Sequence, residues 1–169
     1  MKIKINEELC KKLKFFGKIL YYLATITIAG ISVFVIMKTN EITNTANLIQ
    51  INDDIQRRTD ILFTADLNKK EYLFLSFTAL QNGESIDEDR GELLDYVYDA
   101  AITSLLNTYE FACSQYLENK IDKEAFKGYY FELVRYIRTK PEYISYFGLR
   151  DGREPYQAIN QVYKEWHGK

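Results

Sequence analysis

The sequence predicts an all-α protein: an N-terminal transmembrane helix that continues into a stalk helix, followed by a compact antiparallel helical bundle. Three observations carry that expectation. Residues 19–37, "ILYYLATITIAGISVFVIM", hold no charge, and Lys18 and Lys38 flank them. Only two prolines occur, Pro141 and Pro155, so long helices can run unbroken. Apolar residues recur at three- and four-residue steps, and no alternation of period two lasts long enough for a strand. The expected organisation is a basic segment at 1–18, the span at 19–37, the stalk at 38–66 and the bundle at 67–169.

At 169 residues, the chain holds one compact domain once its first forty residues are set aside. A formal net charge of −2 gives no global pull towards nucleic acid. The leader differs, with Lys2, Lys4, Lys11, Lys12, Lys14 and Lys18 against Glu7 and Glu8.

At 1.5 Å per residue the uncharged run is about 28 Å long, close to the hydrocarbon thickness of a bilayer. A core helix of a small soluble domain would show polar residues on one face. This run offers only Thr25, Thr27 and Ser32, whose hydroxyls can bond back to the helix's own carbonyls. Tyr21 and Tyr22 suit the interface. The following "VIMKTNEIT" lacks the small-residue pattern of a cleavage site, so the run is expected to stay as an anchor. Lysine asymmetry places the amino terminus in the cytoplasm. Thr25, Ala29 and Ser32 share one face, with Gly30 beside them, and such small residues let two helices approach closely in lipid. Self-association through that face is the expectation.

The stalk has no proline or glycine, and Leu48, Ile51, Ile55 and Leu62 form a heptad-like seam, with Ile42 and Ile49 as a further seven-step pair. The seam can pack on neighbouring copies or fold back on its own domain; homo-oligomerisation through it is the leading expectation. Asn68 and Glu71 suggest a cap and a kink near Asp66–Asn68, opening a new helix. Residues 82–91, "NGESIDEDRG", read as an acidic loop without calcium-loop spacing. Leu94, Val97, Ala101, Leu105, Tyr109, Ala112 and Tyr116 then give one continuous apolar face. Asp122 is placed to cap a partner helix bearing Phe126, Tyr130, Leu133, Val134 and Ile137. Pro141 ends that helix or opens a short one, and Pro155 at a first helical position starts the last.

Chemistry is sparse. The single histidine, His167, stands near the carboxyl end, where chains fray. No phosphate-binding glycine loop, metal spacing or cofactor motif is present in the sequence, so no cofactor is implied. Asp95 with Asp99 and Glu118 with Asp122 read as solvated charge. Cys10 and Cys113 read as unpaired thiols, Cys113 on a buried face. Arg135 and Arg138, with Lys140, make a basic edge that Arg150 and Arg153 extend, a possible contact for phosphate groups of lipid or RNA or for a protein partner. Glu110, between Tyr109 and Phe111, is expected half-buried beside an arginine. The arginine–histidine motif of HEPN-type helical ribonucleases is absent as written, since Arg150 and Arg153 stand far before His167.

Residues 105–137, "LLNTYEFACSQYLENKIDKEAFKGYYFELVRYI", with the Tyr109–Glu110 pair and the acidic turn residue Asp122, resemble a helical hairpin of small single-span bacterial membrane proteins linked to phage abortive infection. The layout is also similar to the membrane accessory protein of type VI-B CRISPR systems. The resemblance implies a defence role at the bacterial inner membrane, by self-assembly and loss of membrane integrity. It also implies a cytoplasmic helical domain, against the lysine count, which leaves the side open. The leading expectation is a membrane-anchored, self-associating, non-enzymatic effector or accessory protein whose partners are the bilayer, further copies and an unidentified protein or RNA. The alternatives are an envelope-exposed binding module that docks a partner or blocks phage entry, and a degenerate HEPN-like membrane-tethered RNA-binding protein.

Overall fold

A computed structural model describes residues 7–149 and 152–168, with side chains from Lys14 onward. Its elements in chain order are α1 (Glu7–Gln81), α2 (Glu88–Leu117), α3 (Lys123–Thr139), α4 (Pro141–Ile144) with a 3-10 turn at Ser145–Phe147, and α5 (Gln157–His167). No strand occurs among the described residues, and the all-α class holds.

The kink expected at Asp66–Asn68 does not form. After Gly30 nothing before Gln81 breaks a helix, and the Lys70 ammonium reaches back to Asp66 at 2.6 Å, bridging the supposed break one turn on. The basic segment from Glu7 on, the span, the stalk and the helix after it therefore belong to one element, α1. The chain divides into compact units between Ile42 and Thr43, so the stalk from Thr43 on belongs to the same unit as the helical bundle.

Before Thr43, α1 exposes every described side chain. Thr25, Thr27 and Ser32 each donate a hydroxyl hydrogen bond to the carbonyl four residues back, at 2.8, 2.9 and 2.9 Å, which hides their polarity within the helix as expected. This part of α1 includes a window long and apolar enough to cross a membrane, none of it buried within the chain.

In the domain, each helix start has an identifiable cause. The Asp87 carboxylate accepts from the Arg90 amide at 3.1 Å and caps α2. Gly91 thus lies inside α2, four residues past its cap, and not in the acidic loop. Asp122 caps α3 through the Ala125 amide at 3.0 Å, as its position predicts. Pro141 does both things expected of it, following the end of α3 and opening α4. Pro155 does not start α5: the helix begins at Gln157, after Tyr156 in a left-handed conformation at φ 57°.

The core lies where α2, α3 and α5 meet, with α5 packed on both of the others. Leu106, Ala112, Cys113, Phe126, Val134, Ile159 and Val162 are wholly buried. An aromatic cluster fills the centre, with Tyr116 and Trp166 edge to face at 5.3 Å and Phe126 against Tyr130 at 4.8 Å. The apolar face expected along α2 is buried only from Ala101 to Tyr116; Val97 is exposed and Leu94 half-buried, and Leu133 of α3 is also exposed. The reason is length, because α3 and α5 cover only the second half of α2.

The first half of α2 lies against α1 through polar and ring contacts. The Lys69 ammonium meets Asp95 at 2.7 Å, and the Tyr72 hydroxyl donates to the Asp87 carbonyl at 2.7 Å. Gly91 permits the second contact, since a Cβ there would stand 2.8 Å from the Tyr72 oxygen. Gly91→Ala should cost about 1 kcal/mol in denaturant unfolding of the full-length protein despite alanine's higher helix propensity. The cost should shrink in a Tyr72→Phe background. A gain in stability from Gly91→Ala alone would contradict this close packing.

Candidate functional site

The stalk seam is used inside the chain. Leu48, Ile51 and Ile55 are 6, 4 and 5% exposed and join the domain core, while Leu62 packs on its margin. Polar side chains beside the seam reinforce this, for Asn47 donates to the Lys120 carbonyl at 3.0 Å and the Tyr130 hydroxyl donates to Asn52. Of the two outcomes open to the seam, folding back on its own domain is the one observed. Leu48, Ile51 and Ile55 are therefore not free to hold copies together, which corrects the expectation of oligomerisation through them. Ile42 and Ile49 remain exposed. On the apolar window, Thr25, Ala29, Gly30 and Ser32 are all exposed, and an added Cβ at Gly30 would meet nothing within 4 Å.

Beyond the seam, the hydrophobic pattern of α1 is inverted. The row turned towards α2 runs Leu62, Ala65, Lys69, Tyr72, Ser76 and Ala79, at alternating steps of three and four, and is buried or half-buried. Four of the six, Ala65, Lys69, Ser76 and Ala79, are small or polar. The outward row, Phe63, Leu67, Phe74 and Phe77, is exposed, with Phe74 at 69%. Leu73 and Leu80 form another exposed pair, and on α2 Leu93 and Tyr96 are exposed, Tyr96 at 73%. A helix facing water alone would carry the opposite arrangement. Exposed apolar side chains in rows, rather than singly, mark an interaction surface.

The basic edge is mostly committed. The Arg138 Nε donates to the Asn160 side chain at 2.8 Å, and its guanidinium stands 4.9 Å from the Phe147 ring centre, so it braces α3 against α5. Arg138 is thus half-buried and engaged through its Nε. Arg135 pairs with Glu132 one turn earlier. Arg153 is exposed, and Arg150 lies outside the described residues, as does the side chain of Cys10.

Glu110 is half-buried as expected, but its partner is not an arginine. Its two carboxylate oxygens accept from the backbone amides of Ala158 at 2.9 Å and Ile159 at 3.0 Å. These are free amides at the start of α5, where the helix dipole favours negative charge. Tyr156, at the N-cap position, makes no side-chain cap, so the cap comes from α2, about fifty residues earlier in the chain. Sequence reasoning saw the buried carboxylate and missed the acceptor's target, because no local motif marks a cap supplied from another helix.

His167 is not frayed. It is the last residue of α5, its ring centre 4.3 Å from that of Phe131 and 5.0 Å from that of Tyr163, and its Nε2 is buried without a hydrogen-bond partner. Cys113 is fully buried, and burial pushes its thiol well above the usual cysteine range, which suppresses the nucleophilic thiolate. Among the described residues no group of three histidine, cysteine or acidic side chains is placed to hold a metal ion.

No family model, curated protein or solved structure matches this chain.

The Glu110 cap gives a direct test. Glu110→Ala should cost about 1 to 2 kcal/mol in chemical denaturation, and Glu110→Gln less, because an amide oxygen still accepts one bond. A neutral Glu110→Ala would show that α5 does not depend on it.

Proposed function

We propose that this chain is a membrane-anchored, self-associating, non-enzymatic effector or accessory protein. One observation supports the reading above the others: α1 carries apolar surface that the chain itself leaves uncovered, both in the uncharged window and in the outward rows around Phe74. In water each such surface is costly, at roughly 25 cal/mol for every Å². Lipid covers the first, and neighbouring copies cover the second. Thr25, Ala29 and Ser32 supply a smooth, small face for helix contact within the bilayer. Because the seam at Leu48, Ile51 and Ile55 is occupied, association falls to the window and to the α1–α2 hairpin.

The non-enzymatic part rests on the available groups. The one histidine is packed among rings, and the buried cysteine is held as a thiol, so neither acts as base or nucleophile. The resemblance to abortive-infection proteins gives the assembly an output, loss of bilayer integrity in antiviral defence. Outward placement of the domain follows from the lysine asymmetry and makes the second reading an envelope-exposed binding module.

Full-length protein labelled at Ser85→Cys in a Cys10→Ser background, reconstituted in liposomes, should show energy transfer between copies at low protein-to-lipid ratio. Ala29→Leu with Ser32→Leu should reduce it, and dye should leave vesicles only where transfer is high. Absence of transfer at every ratio overturns self-association. Transfer without leakage removes permeabilisation. Labelling of the same cysteine by an impermeant reagent on intact spheroplasts selects the envelope-exposed reading.

A further inference from the structure

A cavity of about 380 Å³ opens between α1, α2 and the junction of α3 with α4. Its walls include the rings of Tyr98, Tyr136 and Tyr143 and the carboxylates of Asp66 and Glu142, with the Lys70 ammonium at its edge. Tyr136 and Tyr143 meet edge to face, ring centres 6.0 Å apart and planes at 63°. Tyr143 is almost wholly buried and Tyr98 half-buried, so their positions are fixed by the core. The Tyr136 hydroxyl donates to Glu142 at 3.2 Å, which holds that carboxylate beside the rings.

Cations already sit on these rings from outside the cavity. The Lys69 ammonium stands 4.8 Å from the Tyr98 centre, and that of Lys140 stands 5.0 Å from the Tyr136 centre. Lys69 is itself neutralised by Asp95 at 2.7 Å. The residues that line the cavity include two carboxylates and one ammonium, a formal charge of one negative unit, with Lys140 adding a positive charge on the Tyr136 ring outside it. Burial pushes all three phenols up, Tyr143 to about 12, so the rings stay neutral and keep their electron-rich faces at ordinary pH.

We propose that this cavity binds a compact alkylated ammonium group, with Tyr98, Tyr136 and Tyr143 as the aromatic walls and Asp66 and Glu142 as counter-charges. Aromatic rings attract a weakly hydrated organic cation strongly, whereas a small metal ion would lose too much hydration for the few ligands present. An anion is repelled by both carboxylates. Lys70 is the internal competitor: its side chain is 68% exposed and pairs with Asp66 at 2.6 Å, so a ligand displaces a flexible surface ammonium and not a core group.

That competition gives the test an unusual sign. Full-length protein in a maltoside detergent is titrated with choline and with 3,3-dimethylbutan-1-ol, its uncharged isostere, by calorimetry. Choline should bind, with the isostere about tenfold weaker or more, the margin that cation–π attraction supplies. Tyr136→Leu and Glu142→Gln, both at exposed positions, should each weaken choline about fivefold or more. Lys70→Met, which keeps bulk and removes charge, should tighten it. Equal binding of choline and isostere, no binding of choline at about 20 mM, or a Lys70→Met variant that binds less tightly would each overturn the proposal. Flotation with vesicles of phosphatidylcholine against phosphatidylglycerol, using a soluble-choline competitor, identifies the source. Choline-sensitive preference for phosphatidylcholine assigns a lipid headgroup, and binding of free choline without that preference assigns a soluble cation. Matched thermal unfolding of Glu142→Gln and Lys70→Met with the parent keeps the comparison on binding.

Discussion

Leu48, Ile51 and Ile55 impose the constraint on which the rest of the molecule depends. They sit on the same helix as the uncharged run but belong to the core of the helical domain. Burying three aliphatic side chains contributes on the order of 5 to 9 kcal/mol, comparable to the net stability of a small domain. A stretch rich in asparagine and threonine is a poor helix alone, and this burial, with the Asn47 and Asn52 contacts, is what makes it one. The domain cannot be separated from the stalk without opening its core.

Elsewhere the domain relies on contacts between residues distant in sequence. Glu110 of α2 caps α5, the Tyr116 hydroxyl donates to Glu165 at 2.6 Å and accepts from the Trp166 indole at 3.0 Å, and Arg138 bridges α3 to Asn160. Each of these groups has a partner that answers its chemistry, in keeping with the cost of leaving one unmade, whereas the buried His167 Nε2 has none. Together they fix α5, a helix of eleven residues that is too short to persist alone. The α1–α2 hairpin is held by surface contacts instead, Lys69 with Asp95 and Tyr72 with the Asp87 carbonyl. Its inner row is mostly small or polar, and its outer rows are apolar and left exposed by the chain.

The helical class, the Asp122 cap, the two roles of Pro141, the buried Cys113 and the backbone-bonded hydroxyls of Thr25, Thr27 and Ser32 were legible in the sequence. Each follows from local rules of spacing or capping. Four features were not. The continuity of α1 past Asn68 was hidden because a residue suited to capping also tolerates a helix interior when an ion pair spans it. The fate of the seam was undecidable, since the same heptad spacing serves a neighbouring copy and a neighbouring helix. The Glu110 cap and the tyrosine-walled cavity draw on residues dozens of positions apart, and no window of sequence brings them together. Between Lys18 and Leu48, α1 passes from a window long and apolar enough to cross a membrane, none of it buried within the chain, to residues buried in the domain core, a difference that accessibility measures.

A nitroxide scan of α1 from Lys18 to Leu62, in the full-length protein reconstituted in liposomes, measures that most directly. Oxygen accessibility should peak and aqueous nickel-complex accessibility vanish near Ala29, and mobility should then fall sharply at Leu48, Ile51 and Ile55 against their neighbours. Free access of the nickel complex at Ala29, or equal mobility at the seam and at Ile49, would contradict a helix held by lipid in one part and by its own domain in the next.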